Sequence, residues 1–86
     1  MHTVELLESA MDLVERLGYA IRHEWLGGLA GGGCEVRGRK VFFADLALGP
    51  EDQLDQVLDT LRRDPKVAGL PMPDELRGLL RPRRIA

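Results

Sequence analysis

Apolar residues near the start of the chain recur with the 3.6-residue period of a helix. Val4, Leu6, Leu7, Ala10, Met11, Leu13, Val14 and Leu17 form a broad stripe, wider than one sheet face needs. Thr3 is the expected N-cap and Gly18 stands at the C′ position. The spacing predicts a helix over Thr3 to Leu17. From Tyr19 to Leu26 the period becomes two, which predicts a strand. Tyr19, Ile21, His23 and Trp25 share one face, the apolar one, and Ala20, Arg22, Glu24 and Leu26 share the other.

Two further strands are expected, over Cys34 to Arg37 and Val41 to Leu46, joined by a tight hairpin around Gly38 and Arg39. If Arg37 pairs with Lys40, Val36 faces Val41 and Cys34 faces Phe43. Asp45 then continues their face, taken as the inner one. The opposite face carries Glu35, Arg37, Phe42, Ala44 and Leu46.

The clearest element is a helix over Pro50 to Arg63. Pro50 suits the first helical position, and Glu51 and Asp52 suit the positive end of the dipole. Leu54, Val57, Leu58 and Leu61 follow helical spacing, and Asp64-Pro65 stops the run. A short extended stretch over Lys66 to Leu70 precedes a last helix that opens at Pro73-Asp74-Glu75 and runs to about Leu80. The predicted order is α-β-β-β-α plus a short helix. This is an α+β, two-layer sandwich: helices on one face of a three-stranded antiparallel meander. Residues 1–80 make a single domain and 81–86 a flexible basic tail.

Length and charge narrow the class. Eighty-six residues suit one domain that buries about 60% of its unfolded surface. One cysteine permits no intrachain disulfide, no apolar run is long enough to span a bilayer, and the N-terminus lacks a signal-peptide pattern. A cytoplasmic protein with a reduced thiol, no cofactor and no membrane partner is expected. Net charge is −2, with acids concentrated on the two long helices and bases in the tail. An acidic body argues against nucleic acid as a partner.

Candidate chemistry centres on "GGLAGGGCEVRG", residues 27–38. Gly27, Gly28, Gly31, Gly32 and Gly33 form no GxxxxGK[ST] or GxGxxG pattern, and a strand rather than a helix follows them. A phosphate cradle is therefore disfavoured against a flexible hairpin loop that lets a partner's backbone come close. Cys34, His23 and Asp45 would share one sheet face. A four-residue loop would set His23 across from Cys34, the arrangement that activates a thiol for catalysis or sensing. The simpler reading packs Cys34 as a small core residue, and it is preferred. His2, His23 and Cys34 lack the paired spacing of a zinc site, and "HEW" lacks the second histidine of HExxH. Asp52, Asp55 and Asp59 read as a solvated helix face. Arg77, Arg81, Arg83 and Arg84 could meet an acidic or phosphorylated partner, but no aromatic interleaves with them to stack on bases.

On the outer sheet face, Phe42, Ala44 and Leu46 would form an apolar patch. With the wide stripe of the first helix and the glycine loop, this suggests a homodimer or a docked protein partner rather than an enzyme.

The α-β-β-β-α order over residues 3–63 resembles the double-stranded RNA-binding domain in topology. That family has a lysine-rich start to its second helix where this chain has "PEDQLDQ", so RNA binding is not carried over. The chain also resembles small uncharacterised bacterial proteins with an LG-x-GG-x-C-x₃-G-x₂-V-x₃-D pattern, an acidic "EQL"-type helix and a terminal LP-x-P…LR-x-L-L. The matching residues are Leu26, Gly27, Gly32, Gly33, Cys34, Gly38, Val41, Asp45, Gln53, Leu54, Leu70, Pro71, Pro73, Leu76, Arg77, Leu79 and Leu80. Its strand-then-helix segment is similar to that preceding the HExxH helix of small zinc peptidases related to phage-immunity regulators. The helix here, "EDQLDQVLDTL", has no histidine, which implies a relative that has lost the metal.

Overall fold

The computed structural model describes residues 2–81. Of the expected tail, only Arg81 lies within them. The fold is α+β, with three helices, a three-stranded sheet and one 3₁₀ turn among the described residues.

Helix α1 spans Thr3–Arg16 and buries Leu6, Ala10, Leu13 and Val14. His2, not Thr3, is its N-cap. At the other end Gly18 N donates to the Glu15 carbonyl (2.9 Å) and Tyr19 N to the Val14 carbonyl (3.2 Å). These two bonds are a Schellman motif, which satisfies carbonyls the helix leaves open. Helix α2 spans Pro50–Arg63 and buries Leu54, Val57, Leu58, Thr60 and Leu61. The N-termini of α1 and α2 line one recess. Tyr19, just past α1, and Thr60, near the end of α2, both reach Gly33. The two helices therefore run side by side in the same direction.

The sheet corrects the expected meander. Strand β1 (Ala20–Glu24) and strand β2 (Gly32–Val36) are the two edges, and β3 (Arg39–Asp45) lies between them. β1 pairs with β3 in parallel, Ile21 beside Phe42 and His23 beside Ala44, while β2 pairs with β3 antiparallel. The chain thus leaves β1, crosses the end of the sheet and returns through the hairpin to fill the middle. The β2–β3 turn holds Arg37 and Gly38, with φ of 54° and 77°. Positive φ at both central residues is the signature of a type I′ turn, whose twist matches the strands. Val36 therefore pairs with Arg39 and Cys34 with Val41, two positions away from the expected register.

The covered face is also not the expected one. Phe42 is 1% exposed and Ala44 3%, and both join α1 and α2 in one core with Ile21 and Tyr19 packed against it. "VFFA" is apolar on both faces, so alternation within β3 cannot choose between them. The parallel register decides it, because residues side by side in neighbouring strands share a face. Ile21 was expected inside, and it takes Phe42 with it. Cys34, Val36, Val41 and Phe43 stand on the other face, outside the core. Trp25, expected inside, lies beyond the end of β1 and is 75% exposed.

The stretch expected to be extended is a 3₁₀ turn, Pro65–Gly69, because the Asp64 side chain accepts from Lys66 N (3.0 Å) and turns the chain. Helix α3 (Asp74–Leu80) follows and sets Leu76 into the core. Arg62 donates to the Leu79 carbonyl (2.7 Å) and Arg77 to the Leu70 carbonyl (2.9 Å), which hold this segment against the body.

Candidate functional site

Asp45, placed by the sequence reading in a catalytic group, holds the crossover instead. Its side chain is fully buried at the end of β3. One carboxylate oxygen accepts from Leu26 N (2.9 Å) and Ala47 N (2.9 Å), and the other from Gly28 N (2.7 Å). Leu26 and Gly28 belong to the segment passing from β1 towards β2, and Ala47 to the turn after β3. A single carboxylate therefore fixes both chain paths at that end of the sheet. Gly28 is needed there because its φ of +77° lies in the left-handed region while its N–H points at the oxygen. Burial pushes the Asp45 carboxyl up, but the bonds from Leu26, Ala47 and Gly28 favour the anion. The net result is below the ordinary aspartate value.

The glycines nearest Cys34 serve a close approach between chain segments. A side chain at Gly33 would meet Thr60 Cγ2 at 2.5 Å and the Tyr19 ring at 3.1 Å. Through this gap Gly33 N donates to Thr60 Oγ1 (3.0 Å), and that hydroxyl donates onward to the Gln56 carbonyl (3.1 Å). At Gly31 the Gln56 side-chain amide fills the space a Cβ would take. Gly31 to Gly33 thus lie against α2. Gly27 and Gly28 lie in the exposed crossover beside Leu29, which is 93% exposed.

The proposed Cys34, His23 and Asp45 group is not assembled. His23 lies on β1 and Cys34 on β2, with β3 between them. That puts them two strand spacings apart, roughly 10 Å, and on opposite faces of the sheet. Cys34 is an exposed free thiol. Asp45 gives its oxygens to three backbone donors. Phe42 and Ala44, expected on a contact surface, are buried and cannot reach a partner. Leu46 is 41% exposed, in the turn after β3.

Lys40 and Asp64 were missed by sequence reasoning. Lys40 Nζ lies 3.2 Å from Asp64 Oδ2 and 5.3 Å from the centre of the Tyr19 ring, so it joins the middle strand to the ends of α1 and α2. Burial raises the Asp64 carboxyl. The Lys66 N–H and the Lys40 ammonium outweigh that, and the group sits below its ordinary value. The signal in the sequence is the run Asp64-Pro65-Lys66, an Asx turn at a helix end.

A recess of about 510 Å³ lies where the two helix N-termini converge, lined in part by His2, Thr3, Pro50, Glu51 and Asp52. Helix N-termini attract anions, but Glu51 and Asp52 already occupy that field and Pro50 has no N–H to offer. A second recess, about 400 Å³, sits between α1 and His23. Among the described residues no group of three or more His, Cys, Asp or Glu stands ready to hold a metal, and no helix is long and apolar enough to cross a membrane.

The remaining surface of note is the sheet face outside the core, with Val36 45% exposed, Val41 and Phe43 half-buried, and exposed Cys34 beside them. Comparisons of the chain with protein-family models, with curated proteins and with solved structures give no match.

Proposed function

We propose that the protein is a non-enzymatic binding module that docks a protein partner or another copy of itself through the sheet face opposite the helices. In this reading the fold is a two-layer sandwich whose second face is left for the partner. The observation that carries it is the grouping of Val36, Val41, Phe43 and Cys34 outside the core, with Trp25 and Leu29 exposed at the crossover end. Apolar side chains grouped outside the core, rimmed here by Arg22 and Arg39, mark association sites on small proteins. The glycine-rich crossover, held in shape by Asp45, is part of the contact through Gly27, Gly28 and Leu29 rather than through Gly31 to Gly33.

A photo-crosslinking residue in place of Phe43 tests this in cells, with the same residue at Asp55 on the exposed side of α2 as reference. Discrete adducts from position 43 and none from position 55 are expected. Equal labelling at the two positions would remove the basis for the reading.

A further inference from the structure

The two edges of the sheet are not equivalent. On β2, Gly33 N donates to Thr60 Oγ1 on α2, so that helix covers the start of the edge. On β1, the Glu24 carbonyl accepts from Leu46 N (2.8 Å). Peptide groups alternate in direction along a strand, so those of Ala20, Arg22 and Glu24 point to β3 and those of Ile21 and His23 point away. The outward groups have no backbone partner among the described residues. Natural sheets seldom leave such an edge without a device that covers or blocks it.

We propose that β1 pairs antiparallel with β1 of a second copy, about a two-fold axis at His23, to make one continuous six-stranded sheet. Charge selects both the occupant and the register. With His23 opposite His23 of the second copy, Arg22 lies opposite Glu24 and Glu24 opposite Arg22. The complementary pair thus occurs twice by symmetry. A shift that sets Ile21 opposite His23 puts Arg22 against Arg22, which like-charge repulsion disfavours. The selected register also brings Ile21 of each copy opposite Trp25 of the other and covers that exposed ring. Within one chain Arg22 and Glu24 already approach to 3.3 Å with both side chains partly solvated, so the dimer turns two local pairs into an alternating four-charge cluster. On the helix side, Leu7 and Met11 of the recess beside His23 would face their counterparts. The carboxylates Glu8, Asp12 and Glu15 converge there as well and keep the association weak. Sheet extension leaves the Phe43 face free in each copy and makes the two faces continuous. The inference therefore goes beyond the docking face and stands without it.

Sedimentation over a concentration series is the test, with circular dichroism to establish that each variant is folded. The wild-type chain is expected to pass from monomer to dimer. Arg22→Glu sets carboxylate against carboxylate in both cross-strand pairs, and Glu24→Arg sets guanidinium against guanidinium. Each variant alone should lose about tenfold or more in dimer affinity. An equimolar mixture of the two should recover it as a heterodimer, because every cross-strand pair is then complementary. The double variant R22E/E24R should recover it as a homodimer. A strictly monomeric wild type would overturn the proposal, as would a mixture no tighter than its components. If dimerisation instead survives both single variants and is lost on Phe43→Arg, the docking face is the dimer contact and the edge proposal is wrong. If Val41→Arg removes the crosslinks from position 43 and leaves the dimer intact, both readings hold separately.

Discussion

The two edges of the sheet are built from opposite materials. β2 starts with two glycines, and their missing side chains let α2 come close enough for Thr60 to take an edge N–H. β1 has full side chains along Ala20 to Glu24, two of them charged, and no helix takes the outward groups of Ile21 and His23. Glycine in a strand is ordinarily a weakness. Here it lets a helix cover the start of an edge, whereas the better strand sequence is the one left open. Edge protection thus depends on what can approach a strand as much as on what the strand contains.

The largest test of this contrast is at Asp45, which shapes the passage from the open edge to the covered one. Asp45→Ala leaves the N–H groups of Leu26, Gly28 and Ala47 without their acceptor. The melting temperature should fall by on the order of 10 °C or more. A change of a degree or two in thermal denaturation would show that the crossover does not need its clamp.

Next comes the helix contact itself. Gly33→Ala drives a Cβ against Thr60 and should cost roughly 2 kcal/mol in denaturant unfolding. Thr60→Ser removes the Cγ2 atom in the way and keeps the hydroxyl, so in the double variant part of the loss should return. Purely additive effects would mean that Gly33 and Thr60 do not meet.

Lys40 reaches from the middle strand to Asp64, and Lys40→Met should destabilise by about 1–2 kcal/mol, a buried-pair cost discounted for the partial exposure of the lysine. Acid should act in the same direction. Asp45 and Asp64 both have lowered folded-state values, so their contribution is present above the unfolded carboxylate pKa and is lost as pH falls through the folded one. Unfolding free energy should hold near neutral pH and decline below about pH 4. Asp45→Asn, if folded, should flatten that decline.

The smallest effect lies at the hairpin. Arg37 is the one residue other than glycine with positive φ among the described residues. Arg37→Asn suits that conformation better and should stabilise by about 0.5 kcal/mol, read from the denaturation midpoint.

The helices are legible in the sequence because their signals are local. Leu54, Val57, Leu58 and Leu61 recur on one face between Pro50 and Asp64, and Gly18 marks the end of α1. The sheet is less so. The period of β1 turns Tyr19 and Ile21 inwards, as the structure has them. Its neighbour is not readable, because nothing within Tyr19 to Leu26 says whether the next strand in sequence is the next in space. The two apolar faces of "VFFA" then offer no local correction, and Phe42 is assigned outwards. The hairpin is found, but its turn is centred one residue late, since a positive φ at Arg37 is not what arginine suggests. Asp45 stands out as a reactive candidate, when its position before "LALGP" carries an Asx-turn signal that its bond to Ala47 N realises. The Gly31 to Gly33 run has no explanation in its own neighbourhood, because its reason, Thr60 and Gln56, lies far along the chain.

Residue-resolved amide hydrogen exchange, followed down a dilution series, tests the contrast between the edges most directly. The Gly33 amide should be protected at every concentration, and the Ile21 and His23 amides should exchange rapidly when dilute and slow as the protein is concentrated. Rapid exchange at Gly33, or protection of Ile21 and His23 that persists at the lowest concentration, would contradict that contrast.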